Sequence, residues 1–429
     1  MAQEQLSLTA AFSALFDELG RPPDSDGDGQ PDLPVPIDVH VGVISGDMGS
    51  GGYAVTSCSN PITGDDGVLQ SQPARGLAGC EEQYPRFLSW AEGDDPSALS
   101  AAFECAARLG TDGCPFQQPL AAARKALTMH ASGANAGFLR DDSVLALIFV
   151  TTHDDCSVRS DDPRATDLFN SQLDLGPLGL RCFTLADDYL EPVDAIAQDL
   201  HSLRGDRLDR LVVAAIAGIP RDVDCSPEDF QCLLDDPRMQ KVIDESDEGG
   251  GDRVVPSCDQ PDRGKAFPPR RIVELVADMA REGALAAVHT ACASDYGPAM
   301  ARIGELVASG MRGACLSRPL PLDSEGFASC ILEETLFSDD ACPPGRIDRG
   351  AGPEGRRCQI CQRGDGRALL HDEDGRSLDA CAPFNDSGDY WEYEVDRICP
   401  LTGMIRFRGE ALPAPGSVVR IRCFVGECP

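Results

Sequence analysis

Nowhere in the 429 residues does an apolar run approach the roughly 20 consecutive residues that a bilayer-crossing helix needs, which excludes a helical membrane span within this sequence. Basic side chains are scarce. Thirty-seven Lys and Arg stand against 71 Asp and Glu, a net charge of −34. Such a surface repels phosphate backbones and anionic headgroups, so nucleic acid and anionic lipid are excluded as partners, while solubility and divalent cations are favoured. The opening Met1-Ala-Gln-Glu-Gln-Leu6 has no basic n-region, apolar h-region or cleavage site, so either the protein is cytosolic with many thiols or, as is expected here, an export signal or lipid-anchor motif lies upstream of Met1. There is no internal repeat and no extended low-complexity tract.

Cysteine, by contrast, is abundant. Nineteen residues spread from Cys58 to Cys428 exceed what a reduced cytosol carries in structural roles, and they place the protein in an oxidising, extracytoplasmic compartment. The odd number leaves one cysteine free, intermolecular or paired upstream. Bridges are expected within the N-terminal domain or within the tail.

Three apolar runs end in polar loops. Val39–Ser45 passes into Gly46-Asp47-Met48-Gly49, Leu145–Val150 into Thr151-Thr-His-Asp-Asp-Cys-Ser157, and Leu211–Ala217 into Gly218-Ile-Pro220. Each reads as a buried parallel strand whose carboxyl end carries a ligand-binding loop. Leu8, Phe12, Leu15, Phe16 and Leu19 share a helical face that Gly20 and Pro22-Pro23 terminate. Further helices are expected at about 97–109, 117–130, 192–203, 269–282 and 295–310, with a strand at 284–291. A polar, Gly-rich segment holds Cys58 and Cys80, and a disulfide-tethered loop insertion without hydrophobic period covers about 221–262. Beyond residue 315 short β-like pieces, Pro/Gly turns and cysteines read as a small stapled appendage. The domain expectation is therefore 1–315, an α/β domain, and 316–429, a cysteine-rich β/loop extension.

Asp38–Gly49, then Leu109-Gly-Thr-Asp-Gly-Cys114 with Gln118-Pro-Leu120, then Leu145–Ser157, in that order, resemble secreted, cysteine-rich bacterial proteins built on a von Willebrand factor type A domain. The likeness covers roughly residues 1–315, and Cys315-Leu-Ser-Arg-Pro-Leu320 and Cys358-Gln-Ile-Cys361 are similar to that group's C-terminal extension. The resemblance implies a Rossmann-like sandwich, a mostly parallel sheet flanked by helices. It also implies a metal-ion-dependent adhesion site at the sheet's carboxyl edge, where three loops give oxygen ligands to a hard cation such as Mg²⁺ and a partner's carboxylate completes the shell. Thr111 matches the family's second loop. Thr152 stands where the third loop's Asp is expected, which displaces the acidic pair to Asp154 and Asp155. By the same likeness the first strand and its Asp-x-Ser-x-Ser loop lie outside this sequence, so the chain is expected to be an N-terminally truncated form with a degenerate site at Thr111, Asp154 and Asp155.

Asp24, Asp26, Asp28 and Asp32 fall at the first, third, fifth and ninth positions of a loop around Gly29, the spacing that wraps Ca²⁺. Val35 stands where an EF-hand would close with Glu, and a solvated acidic turn is the competing reading. Cys358-x-x-Cys361 with Cys423-x4-Cys428 has zinc-like spacing, but fifteen further cysteines favour disulfides. His289-Thr-Ala-Cys292 and His153-Asp-Asp-Cys156 place a base near a thiol, the pattern of a cysteine hydrolase. His40, inside an apolar strand, reads as a packed residue with one hydrogen bond.

The expectation is a non-catalytic, extracytoplasmic binding, adhesion or scaffold protein with no catalytic residue, Ca²⁺ or Mg²⁺ as the cations its acidic loops would take, and a protein ligand at the cell surface. The alternatives are a Ca²⁺-stabilised structural surface protein and a Cys/His hydrolase.

Overall fold

In the computed structural model the run Leu211–Ala217 (β4) is the most enclosed strand, with every residue fully buried. It pairs in parallel with Leu145–Val150 (β3), Leu145 opposite Leu211, and with Leu285–Thr290 (β5), Val212 opposite Leu285. Its alternate side chains serve two cores. Leu211, Val213, Ala215 and Ala217 pack with Pro119–Leu127 (α3), Val193–Ser202 (α4) and Arg270–Glu282 (α5). Ala214 and Ile216 pack with Ala2–Gly20 (α1), Pro96–Ala106 (α2) and Gly297–Arg312 (α6). A strand apolar on both faces follows from this burial between two helical layers. The α1 face expected from the sequence is buried at Phe12, Leu15, Phe16 and Leu19, and Phe12 stacks on Phe103 at 3.7 Å.

The structure describes residues 2–20, 38–91, 94–140, 143–205, 207–244, 253–260, 264–312, 316, 318–323, 326–336, 341–352, 355–363, 390–395, 403–407, 411, 413 and 417–423. The chain divides into two units, Met1–Gly313 and Ala314–Pro429. Among the described residues no helix is long and apolar enough to cross a membrane. The fold is mixed α/β with small sheets and several disulfides.

Asp38–Gly42 (β1) pairs antiparallel with Phe87–Ala91 (β2), Val39 opposite Trp90. The sequence pattern missed β2 because its five residues follow a polar, Gly-rich stretch that supplies no period. Among the described residues the other edge of β1 has no strand partner, nor has the edge of β3 turned from β4. Val39, Val41, Ile148 and Val150 are only half-buried, yet all pack on the same apolar cluster.

Helix ends deviate from expectation for local reasons. Asp95 caps α2 by accepting from Ser97 N at 2.9 Å, and α3 starts at Pro119, whose missing N–H costs nothing in the first turn. The insertion is not a bare tether. Leu233 and Met239, in the short helical turns Phe230–Asp235 and Pro237–Met239, are buried in the core beside α5. Two two-stranded ribbons, Ile243–Asp244 with Arg253–Val254 and Cys258–Gln260 with Gly264–Ala266, complete that segment.

In the second unit Cys330–Leu336 (β6), Ile347–Gly352 (β7), Gly355–Ile360 (β8) and Val418–Cys423 (β11) form an antiparallel sheet in the order β7-β8-β6-β11. Trp391–Glu394 (β9) and Met404–Phe407 (β10) form a separate pair. Leu332, Ile360 and the fully buried Trp391 centre the core of this unit.

Every cysteine between residues 1 and 313 is bridged: Cys58–Cys114, Cys80–Cys105, Cys156–Cys182, Cys225–Cys232 and Cys258–Cys292. In the second unit Cys330–Cys423 and Cys342–Cys358 are described, and Cys361 is also disulfide-bonded. The described bridges thus stay within one unit each, and two of the four cysteines with zinc-like spacing, Cys358 and Cys423, pair with cysteines outside that set.

Candidate functional site

The carboxyl end of β3 runs into Thr151–Ser157, and this loop is tied to its surroundings residue by residue. Thr151 Oγ1 accepts from His153 N at 3.1 Å and donates to His153 O at 2.9 Å, closing a tight turn. Thr152 O accepts from Phe267 N at 2.9 Å, and the His153 ring lies 5.0 Å from the Phe267 ring, where desolvation by burial lowers its pKa.

Asp154 and Asp155, both buried, point at helix beginnings. Asp154 Oδ1 accepts from Arg271 N at 3.0 Å, an acceptor for the orphan N–H groups that open α5. Asp155 Oδ1 accepts from Leu120 N at 3.1 Å at the start of α3, and Ser157 Oγ accepts from Ala121 N at 2.8 Å. The two residues are linked by Ser157 Oγ donating to Asp155 Oδ1 at 2.6 Å. The remaining oxygen, Asp155 Oδ2, accepts from Ser157 N at 3.0 Å and from Arg271 Nε at 3.1 Å, while Arg271 Nη2 donates to Glu191 O at 2.7 Å. Asp155 and Arg271 are thus a buried, hydrogen-bonded ion pair. Burial pushes the Asp154 carboxyl up to about 7, and the neighbouring Asp155 charge adds to the rise while Arg271 opposes it.

This arrangement answers what the acidic pair can hold. Its oxygens face backbone N–H donors and a guanidinium, a field that repels cations, so the pair as placed does not fit Mg²⁺ or Ca²⁺. Thr111 is exposed in the loop between α2 and α3, and no described hydrogen bond joins it to Asp154 or Asp155. Its loop is fastened instead to α1: Gln5 accepts from Gly110 N at 3.0 Å and donates to Gly110 O at 2.9 Å. Among the described residues no group of three or more His, Cys, Asp and Glu side chains is placed to hold a metal ion. Asp24, Asp26, Asp28 and Asp32 lie outside the described residues.

Sequence reasoning gave no role to the residues that assemble the rest of this edge. Buried Asp47 accepts from Gly49 N at 2.9 Å and Cys114 N at 3.0 Å, and a Cβ at Gly64 would stand 2.3 Å from Asp47 Oδ1, so only glycine fits there. Gln118 Nε2 donates to Gly49 O at 3.2 Å and Gln118 N to Gly46 O at 2.7 Å, while Cys156 N donates to Gln117 O at 2.8 Å. Loops 45–65, 107–118 and 151–158 are thereby cross-tied, with the Cys58–Cys114 bridge spanning two of them. Asp47 was visible as the polar residue after an apolar strand. Arg271 gave no such sign, because its partner is 116 residues away.

No family model, curated protein or solved structure matches this chain.

The two histidine–cysteine neighbourhoods are equally concrete. Cys156 is bridged to Cys182 and Cys292 to Cys258, so neither offers a thiol to a base. Desolvation by burial lowers the pKa of His289. His40 Nδ1 lies 3.0 Å from Phe138 O and its ring packs on Phe87 at 4.6 Å, a half-buried residue with one hydrogen bond.

Proposed function

We propose that this is a non-catalytic, extracytoplasmic binding protein on a von Willebrand factor A-like scaffold, which meets a protein ligand with the platform of loops 45–65, 107–118 and 151–158 at the carboxyl end of β3. The observation that carries the reading is the cross-tying of three separate loops by hydrogen bonds and the Cys58–Cys114 bridge beside a parallel sheet packed between helices. Open sheets of this kind bind ligands at that edge, and fold likeness alone does not fix function. Among the described residues β1 and β3 each have one edge without a strand partner, and both strands pack on one apolar cluster.

Recognition on this reading is metal-independent. The acidic pair is spent on helix starts, and Thr111, Asp112 and His153 are the groups offered to a ligand. The many disulfides are compatible with an extracytoplasmic location. The test is affinity capture from the exported proteins of the source cell, then titration of the captured ligand with purified partners. Binding should persist in EDTA and weaken at least tenfold in Thr111→Arg and His153→Ala, whose melting temperatures stay at the parent value. Binding abolished by EDTA, or indifferent to both substitutions, would contradict the assignment.

A further inference from the structure

Lysine is scarce in this protein: of its 37 basic residues all but Lys125, Lys241 and Lys265 are arginine. The two side chains differ in reactivity, since an amine that gives up a proton is a nucleophile and a guanidinium keeps its charge. Lys265 meets Asp259 at 3.6 Å on the surface, where the side chains are 48% and 58% exposed. Lys125 is placed differently. Its Nζ is in direct contact with Asp66 Oδ1, and both side chains are 29% exposed. The other carboxylate oxygen, Asp66 Oδ2, lies 3.2 Å from His130 Nε2, which is also 2.9 Å from Asp66 O. An amine, a carboxyl group and an imidazole thus meet around Asp66 Cγ.

The backbone holds all three in place. Asp66 is left-handed, with φ +59°, and its N–H donates to Thr63 O at 3.1 Å. A Cβ at the following Gly67 would stand 2.7 Å from Ala122 O, so glycine lets this turn lie directly on α3, about one helical turn before Lys125. Asn135 clamps the turn to the helix: its Nδ2 donates to Gly67 O at 3.0 Å and to Ala126 O at 3.1 Å, and its Oδ1 accepts from Leu69 N at 2.9 Å. His130 N donates to Lys125 O at 3.0 Å, which ties the imidazole to the residue that carries the amine.

We propose that Lys125 and Asp66 condense into an intramolecular amide, with His130 as the proton carrier. The reaction joins Lys125 Nζ to Asp66 Cγ and breaks the bond from Cγ to Oδ2. Of the three ammonium protons one stays on the amide nitrogen and two leave with Oδ2 as water, carried to that oxygen by His130 Nε2. A carboxylate and an ammonium become a neutral amide and one water, with no oxidant, cofactor or activated donor. Reactants held in one geometry reach effective molarities of about 10⁵–10⁸ M, which favours the internal amine over solvent water at the carboxyl carbon. The link ties the end of loop 45–65 to α3 through a bond that no reductant opens. It is independent of any ligand that the loop platform takes.

The experiment is intact-mass spectrometry of the full 429-residue chain after complete reduction and alkylation, followed by tryptic mapping. The parent should be lighter by one water than its sequence requires, trypsin should not cut after Lys125, and a branched peptide should join Lys125 to Asp66. Lys125→Arg, which keeps the ion pair and offers no amine, should show the full mass, as should Asp66→Ala. A cyclic imide at Asp66-Gly67 also loses one water, but it would persist in Lys125→Arg. His130→Gln should slow the appearance of the lighter species in freshly synthesised protein at least about tenfold. A parent at full mass, or a water deficit that survives in Lys125→Arg or Asp66→Ala, would overturn the proposal. Linking in His130→Gln as fast as in the parent would overturn the role given to His130.

Discussion

Asp154 and Asp155 illustrate how residue identity and residue role diverge. The sequence places two carboxylates directly after a strand, where a cation ligand is at home. The fold turns both toward helix starts and sets Arg271 between them. Their position was legible, but their direction was not, because it depends on α3 and α5 arriving from 35 residues before Asp155 and 117 residues after Asp154. Asp154 carries a pH consequence. Its folded-state pKa is raised from 3.8 to about 7, so the native state prefers the protonated form; the stability this provides is full below pH 3.8 and is lost as pH rises through 7. At about 1.4 kcal/mol per unit the shift corresponds to roughly 4 kcal/mol. Asn at this position keeps an oxygen for Arg271 N–H and cannot ionise. Asp154→Asn is therefore expected to match the parent in denaturant unfolding near pH 4, to be the more stable by a few kcal/mol at pH 8, and to flatten the profile between. Equal pH profiles for the two proteins would contradict this reading of the carboxyl.

At the scale of elements, what the sequence made readable was burial on two faces. Leu211–Ala217 is apolar throughout because helices cover both sides, and α1 declares itself by the spacing of Phe12, Leu15, Phe16 and Leu19. Elements held by long-range pairing were not readable. β2 has five residues and is fixed by β1, and the insertion gained its place through Leu233 and Met239. β1 and β3 each have one edge without a strand partner among the described residues, whereas β4 is paired on both sides. Backbone groups on an open edge meet solvent. In native-state hydrogen exchange of this 429-residue chain, all β4 amides should be protected, while the edge-facing half of the β1 and β3 amides should exchange orders of magnitude faster. Uniform protection across β1, β3 and β4 would mean that the two edges are covered.

For the whole molecule, the many disulfides are compatible with an extracytoplasmic location. The first unit has all its cysteines bridged, and the second unit holds an odd number, so at least one there is not paired within its own unit. Iodoacetamide applied to unreduced, denatured protein from an oxidising compartment should leave every cysteine before residue 313 unmodified. Labelling of Cys156 or Cys292 would restore the cysteine-hydrolase reading. The Cys156–Cys182 bridge closes a separation of 26 residues, and replacing both with Ala should cost about 3 kcal/mol in unfolding. The strand-end platform depends on that bridge through the loop that carries Asp154 and Asp155. Its metal-independence is tested most directly by calorimetric titration of Mg²⁺ and Mn²⁺ into the parent chain, Thr111→Ala and Asp154→Asn. No saturable site that depends on either residue is expected up to about millimolar metal, because Asp154 faces a backbone N–H donor beside Arg271 and no described hydrogen bond joins Thr111 to it. A micromolar site that disappears in both variants would contradict the account.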